Sequence, residues 1–136
     1  LPLVRAYCDF YEVSPADEDL IAVSQALIAD PDREGIQLIA RDDAGTAVGF
    51  ATVYWSWDTL SAGRIGIMHD LFVQPDTRGT GVADHLIAAC VDECRQHGAA
   101  RLAWQTAHDN ARAQRVYDRV GATREEWVDY WLSVRP

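Results

Sequence analysis

The stretch 66-GIMHDLFVQPDTRGTGVADHLI-87 decides the fold. It opens as a nearly unbroken apolar run, is interrupted by His69 and Asp70, and passes through Arg78-Gly79-Thr80-Gly81 into a helix-like pattern. A strand buried on both faces should be apolar at almost every position, as Ile65–Val73 is. Against that background His69 and Asp70 are costly unless each polar group has a partner. The glycines sit where strand hands over to helix, where free N–H groups converge and the helix dipole favours an anion. Without Cβ atoms, Gly79 and Gly81 let a pyrophosphate approach the backbone, and Arg78 adds a fork suited to phosphate oxygens. A strand-to-helix turn that needs its glycines for geometry alone has the same sequence, so both readings stand here. The Lys-Ser/Thr of a P-loop is missing, as are the three-glycine spacing and later acidic residue of a dinucleotide fold.

Working outward, residues 1–12 read as the end of an aromatic-rich helix, and an earlier first strand is expected to precede Leu1. Ser14-Pro15 starts a second helix with an apolar stripe at Leu20, Ile21, Ser24, Leu27 and Ile28, which Asp30-Pro31-Asp32 stops. Strands are expected at Ile36–Arg41 and Ala47–Trp57, joined by the turn Asp42-Asp43-Ala44-Gly45. The strand Arg64–Val73 follows, then a helix over 81–97 ended by Gly98. A strand over 101–106, a helix over 110–120 closed by Gly121 and a terminal strand over 127–134 complete the chain. This order predicts an α/β chain with a mixed sheet carrying helices on both faces, in one domain spanning residues 1–136.

Composition agrees with a globular protein: 49% hydrophobic and 24% charged residues in 136. A net charge of −9 argues against a nucleic-acid partner, which needs a basic footprint, and is compatible with a cationic small molecule. No apolar run approaches the roughly 18–20 residues of a membrane span, so no membrane partner is expected. Cys8, Cys90 and Cys94 form no disulfide framework, which fits a reducing compartment and a cytoplasmic location. Val82, Leu86, Cys90 and Cys94 step by four along one helix face, so the last two are expected in the core. No metal site is expected, because the four histidines match no ligand spacing.

Arg78-Gly79-Thr80-Gly81-Val82-Ala83 resembles the Arg/Gln-x-x-Gly-x-Gly/Ala signature of the GNAT superfamily of acetyl-CoA-dependent N-acetyltransferases, with Ala83 the one departure from its commonest form. A second signature, Asn-x-x-Ala-x-x-x-Tyr followed by glycine, is matched by Asn110, Ala113, Tyr117 and Gly121. The resemblance runs from about Ile36 to the C-terminus. It implies a GNAT-like fold whose two central strands splay apart around the pantetheine arm of acetyl-CoA, the expected cosubstrate. That arm would meet the strand Leu71-Phe72-Val73, through the backbone of Leu71 and Val73, and the pyrophosphate would rest on the amides of Arg78, Gly79, Thr80, Gly81, Val82 and Ala83. The resemblance makes Tyr117 the general acid that protonates the departing thiolate, with Asn110 and Ala113 on the same helical face beside the cofactor. For Tyr117 a core aromatic with a satisfied hydroxyl is the other reading.

His69 shares side-chain parity with Leu71 and Val73 on a regular strand, which would face it to the cofactor arm. It matches the His-x-Leu-x-Val of serotonin acetyltransferases, where diamine acetyltransferases resemble it with a Glu. A general base on the acceptor amine and a buried structural histidine are both open. Asp70 then faces the opposite side, either binding a cationic acceptor or capping a loop. The resemblance also implies an acceptor wall from Tyr7, Asp9, Phe10, Tyr11 and Glu12, with Trp55 and Trp57, where aromatics and carboxylates could hold an amine; core or surface roles are the other reading. The expected activity is acetyl transfer to a primary amine of a small molecule by direct attack in a ternary complex, without an acyl-cysteine. A protein lysine or N-terminal acetyltransferase and a non-catalytic acyl-CoA-binding module are the alternatives. Homodimers are common in the family, so the resemblance carries that partner too.

Overall fold

A buried strand needs a partner along each edge, and the central run has one along its whole length on one side only. β3 (Gly63–Val73) pairs antiparallel with β2 (Ala47–Asp58), which pairs antiparallel with β1 (Gly35–Arg41). On its other edge β3 meets β4 (Leu102–Ala103) in parallel, at Gly66↔Leu102 and Ile67↔Ala103. The mixed sheet therefore has the order β1-β2-β3-β4. The computed structural model describes residues 1–136, which form two compact units, 1–105 and 106–136. The sheet belongs to the first, together with helices α1 (Pro2–Phe10), α2 (Asp17–Ala29) and α3 (Val82–Gln96). The second contains α4 (Ala111–Arg119). None of these helices is long and apolar enough to cross a membrane.

Alternation along β2 assigns the two faces of the sheet. Phe50 and its partner Phe72 pack with Leu3 of α1, and burying each such side chain contributes about 1.5–3 kcal/mol. Buried Thr52 lies on that same face and accepts from Gln37, whose Oε1 receives the Ser24 hydroxyl of α2 at 2.7 Å. On the opposite face, a Cβ at Gly49 would touch Val82 and Leu86 of α3, and one at Gly66 would lie 2.6 Å from the Cys94 sulfur. Helices thus cover both faces, as expected. Gly49 and Gly66 let α3 approach the sheet more closely than a side chain would permit.

Three expectations are corrected. The α2 stripe is narrower than the periodicity suggests: Leu27 is buried, but Ile21 and Ile28 are exposed. Ser24 lies where that stripe placed it, half-buried, with its hydroxyl donating to Gln37, which in turn donates to buried Thr52. The strand expected over 101–106 pairs only at Leu102 and Ala103. Residues 127–134, read as a terminal strand, form no ladder, and Trp127 and Trp131 are 77% and 86% exposed. An alternating pattern is only half of a strand, because its main-chain groups need a second edge, and within 106–136 the sole regular element is a helix.

Candidate active site

The polar break in β3 is a β-bulge. Thr52 pairs with Asp70 and Val53 with Met68, so His69 has no partner on β2. On a regular strand His69 and Asp70 would face opposite sides; the bulge cancels that alternation and corrects the parity expected for them. The His69 imidazole lies 5.3 Å from the Tyr54 ring, and Asp70 shares the Phe50–Thr52–Tyr54 face. From α1, the Tyr7 phenol donates to the His69 main-chain carbonyl at 3.4 Å, with its ring edge-on to Tyr11, Phe50 and Phe72. Burial first, and then the negative charge of Asp70, push the Tyr7 phenol far above its ordinary range. The same two causes, in the same order, raise Tyr54. Both phenols are therefore neutral hydroxyls at physiological pH.

Tyr54 did not stand out in the sequence, where Trp55 and Trp57 drew attention. Its signal was its parity with Phe50 and Thr52. Trp55, expected in the acceptor wall, belongs to the other face: it is 7% exposed, stacks on His97 at 4.2 Å and donates its indole N–H to Pro31. Trp57 is exposed beneath the Arg64 guanidinium. Tyr11 and Glu12 follow α1, and Glu12 adopts the left-handed conformation (φ 57°). Its amide bonds to Asp9 and that of Val13 to Cys8, closing the helix in a Schellman motif where glycine is usual.

Beyond the bulge, β3 carries no ladder partner on its β4 side, because that pairing ends at Ile67. Gln74 N–H bonds back to Val48 O at 2.8 Å, so by alternation the main-chain groups of Leu71 and Val73 point to the open edge. Val73 O faces that way and accepts from Arg78 Nε at 3.1 Å. The guanidinium of Arg78 also approaches the rings of Phe10 and Phe72, near 6 Å from each (5.9 and 6.0 Å). A short 3-10 turn, Pro75–Thr77, then leads into the glycines. Gly79 and Gly81 have φ of 81° and 87°, which accounts for glycine at both. A Cβ at either would meet nothing within 4 Å, so the space above the turn is open. Gly81 caps α3 without a side chain, so the cap residue offers no acceptor of its own to the first-turn amides, which include Val82 and Ala83. An open edge, an open turn and a helix start capped by glycine suit a linear ligand ending in pyrophosphate.

In the second unit, Asn110 caps α4, its Oδ1 accepting from Ala113 N at 3.2 Å. The sequence spacing therefore includes a helix-capping pair. Tyr117 lies two turns on and is half-buried. The cysteines are core residues: Cys8, Cys90 and Cys94 are all buried. Burial, then the neighbouring Cys94 and Glu93, pushes the Cys90 thiol up to about 12, and burial also raises Cys94. Neither is disposed to act as a nucleophile.

Residues 2–122 match the acetyltransferase (GNAT) family. The uncharacterized N-acetyltransferase YhfO of Bacillus subtilis is 33% identical over 134 residues, covering 98% of this chain and 88% of its own length. The crystal structure of a probable acetyltransferase superposes with a TM-score of 0.84 at 27% identity, over 99% of this chain and 89% of that one. AAC(6')-Iy, bound to a bisubstrate analog joining CoA to acetylneamine, does so with a TM-score of 0.78 at 27% identity, over 93% and 86%. Because the family match runs from α1 through both signatures, the chain belongs to the acetyltransferase (GNAT) family and is an enzyme with acetyl-CoA as its cosubstrate.

Proposed function

We propose that this enzyme acetylates a primary amine of a small molecule by direct attack in a ternary complex. The observation that carries the reading is one continuous strand: the β3 bulge, with His69 and Asp70, runs directly into the open Leu71–Val73 edge and the glycine turn. Acceptor groups and cosubstrate cradle thus follow each other along one main chain. AAC(6')-Iy, bound to its CoA–neamine analog, supports a small-molecule acceptor. The family match, residues 2–122, reaches from the first compact unit into the second, which supports reading residues 1–136 as one N-acetyltransferase domain.

Acetyl-CoA supplies an acetyl group already activated as a thioester. The Leu71 and Val73 main chain would pair with its pantetheine arm, flanked by Phe72, and the amides from Arg78 to Ala83 would hold its pyrophosphate. Asn110 and Ala113 set the start of the helix that carries Tyr117. His69, exposed at the bulge, is the proposed base that removes a proton from the acceptor nitrogen. Tyr117 is the proposed acid, by its place in the second signature. Direct attack is supported by the burial of all three cysteines and by the raised thiols of Cys90 and Cys94.

A free-thiol assay across polyamines, amino acids, aminoglycosides and peptides tests the acceptor. Turnover of small amines is expected, and turnover confined to peptides would overturn it. With an acceptor identified, Tyr117→Phe should lower kcat by roughly 10²-fold while leaving the acetyl-CoA-induced rise in Tm intact. An unchanged kcat would remove Tyr117 as the acid.

A further inference from the structure

Arg78, whose residue type suits phosphate oxygens, turns its side chain back along the strand it follows. Its Nε donates to Val73 O at 3.1 Å, and its guanidinium carbon stands 5.9 Å from the Phe10 ring and 6.0 Å from that of Phe72. The oxygen it takes belongs to the open edge of β3, past the last pairing with β4 at Ile67. A main-chain carbonyl without a ladder partner needs a donor, and Arg78 supplies one from five residues away. The half-buried side chain therefore lies along the edge that a pantetheine arm would follow, on the side of Phe72 and of Phe10 from α1. Arginine and pantetheine amide seek the same acceptor.

We propose that Arg78 is a specificity-determining residue for the cosubstrate: it holds Val73 O against pantetheine and releases it when a diphosphate draws the guanidinium to the glycine turn. This rests on the reading above that the pantetheine arm pairs with Leu71 and Val73. A pantetheine thioester without the diphosphate replaces a charged donor by a neutral amide, an exchange that gains little. CoA makes the same exchange and also offers phosphate oxygens, which match the guanidinium fork better than one carbonyl does. Arg78 begins the turn itself, so the exchange is the rotation of one side chain within that segment. The edge thereby selects CoA thioesters over phosphate-free pantetheine thioesters, partly by an attraction and partly by an obstacle.

Heteronuclear NMR of the full chain tests this, reading the Arg78 Nε–Hε signal, assigned through its bonds, and the Leu71 and Val73 amides. CoA should move all three saturably. In the wild type, saturating inorganic pyrophosphate should shift the Arg78 signal and tighten pantetheine binding by about threefold. Arg78→Met should bind pantetheine about threefold more tightly than the wild type and CoA about tenfold more weakly. Opposite signs for the two ligands are the signature. A residue that only binds phosphate would leave pantetheine unaffected, and one that only supports the fold would weaken both; either result overturns the inference. Should Arg78→Met fail to fold, the wild-type pyrophosphate experiment decides, and unchanged pantetheine affinity there overturns it. If CoA moves the Leu71 and Val73 amides but not Arg78 Nε, the two donors share the oxygen, the inference falls and the edge reading stands. If CoA binds with those amides unmoved, the edge reading falls and takes the inference with it.

Discussion

Gly66 and Cys90 show how little room the sheet leaves for its covering helix. A methyl group at Gly66 would press on Cys94 Sγ at 2.6 Å, Val53 at 3.1 Å and Trp55 at 3.2 Å. Gly66→Ala should therefore destabilise the chain by about 1–3 kcal/mol in urea unfolding, and Cys94→Ala in the same chain should recover part of the loss. Full stability in the single variant would show that α3 can shift freely. The buried thiol beside it has a consequence for pH. Cys90 titrates near 12 in the folded chain and near 8.5 when unfolded. Above about pH 8.5 the unfolded state loses this proton while the folded state keeps it, so stability falls as pH rises. Urea unfolding at about pH 7 and about pH 9.5 should show that slope, and Cys90→Ala should reduce it. An identical slope in the variant would assign it to other groups.

At the scale of elements, the α1 terminus carries the most informative irregularity. Glu12 occupies a left-handed position that costs a non-glycine residue about 1 kcal/mol, and it closes the helix that brings Tyr7 and Tyr11 to the bulge. Glu12→Gly should keep the Schellman hydrogen bonds and raise stability by about 0.5–1 kcal/mol in thermal or urea unfolding. A decrease would mean that the Glu12 side chain holds the turn by contacts of its own. The bulge is the second such device. One unpaired residue in β3 turns His69 towards Tyr54 while leaving Leu71 and Val73 to the open edge. Both placements follow from one inserted residue, which a regular strand would have set differently.

For the whole molecule the net charge of −9 becomes a kinetic property. All 12 basic residues are arginines, so residues 1–136 contain no lysine amine to compete for an acceptor site. An acidic surface raises the local concentration of cationic acceptors, an effect that salt screens with a Debye length of about 10 Å at 0.1 M. With a cationic amine, kcat/KM should fall several-fold between low ionic strength and about 0.5 M salt, while an amine uncharged at the assay pH should respond little. Equal salt dependence for both would remove electrostatic capture from the account.

Much of this architecture is local information. The apolar run of β3, the glycine turn, the α3 stripe ending in Cys90 and Cys94, and the order of elements are patterns over a few residues, set by side-chain period and backbone preference. Both signature segments are legible for the same reason, since a turn or a capped helix start is built from neighbours in sequence. What only the tertiary structure decided is long-range. The bulge exists because β2 and β3 pair with one residue to spare, and it overrode the parity of His69 and Asp70. The Ser24 of the α2 stripe found Gln37 and through it Thr52, while Ile21 and Ile28 of the same stripe found no cover. Tyr54 gained its place beside His69 and Asp70 of β3, and Trp55 packs on the opposite face. Residues 127–134 alternate like a strand, yet alternation supplies no partner edge. Periodicity states which side chains prefer burial; which main-chain edges and polar groups find each other depends on residues distant in sequence.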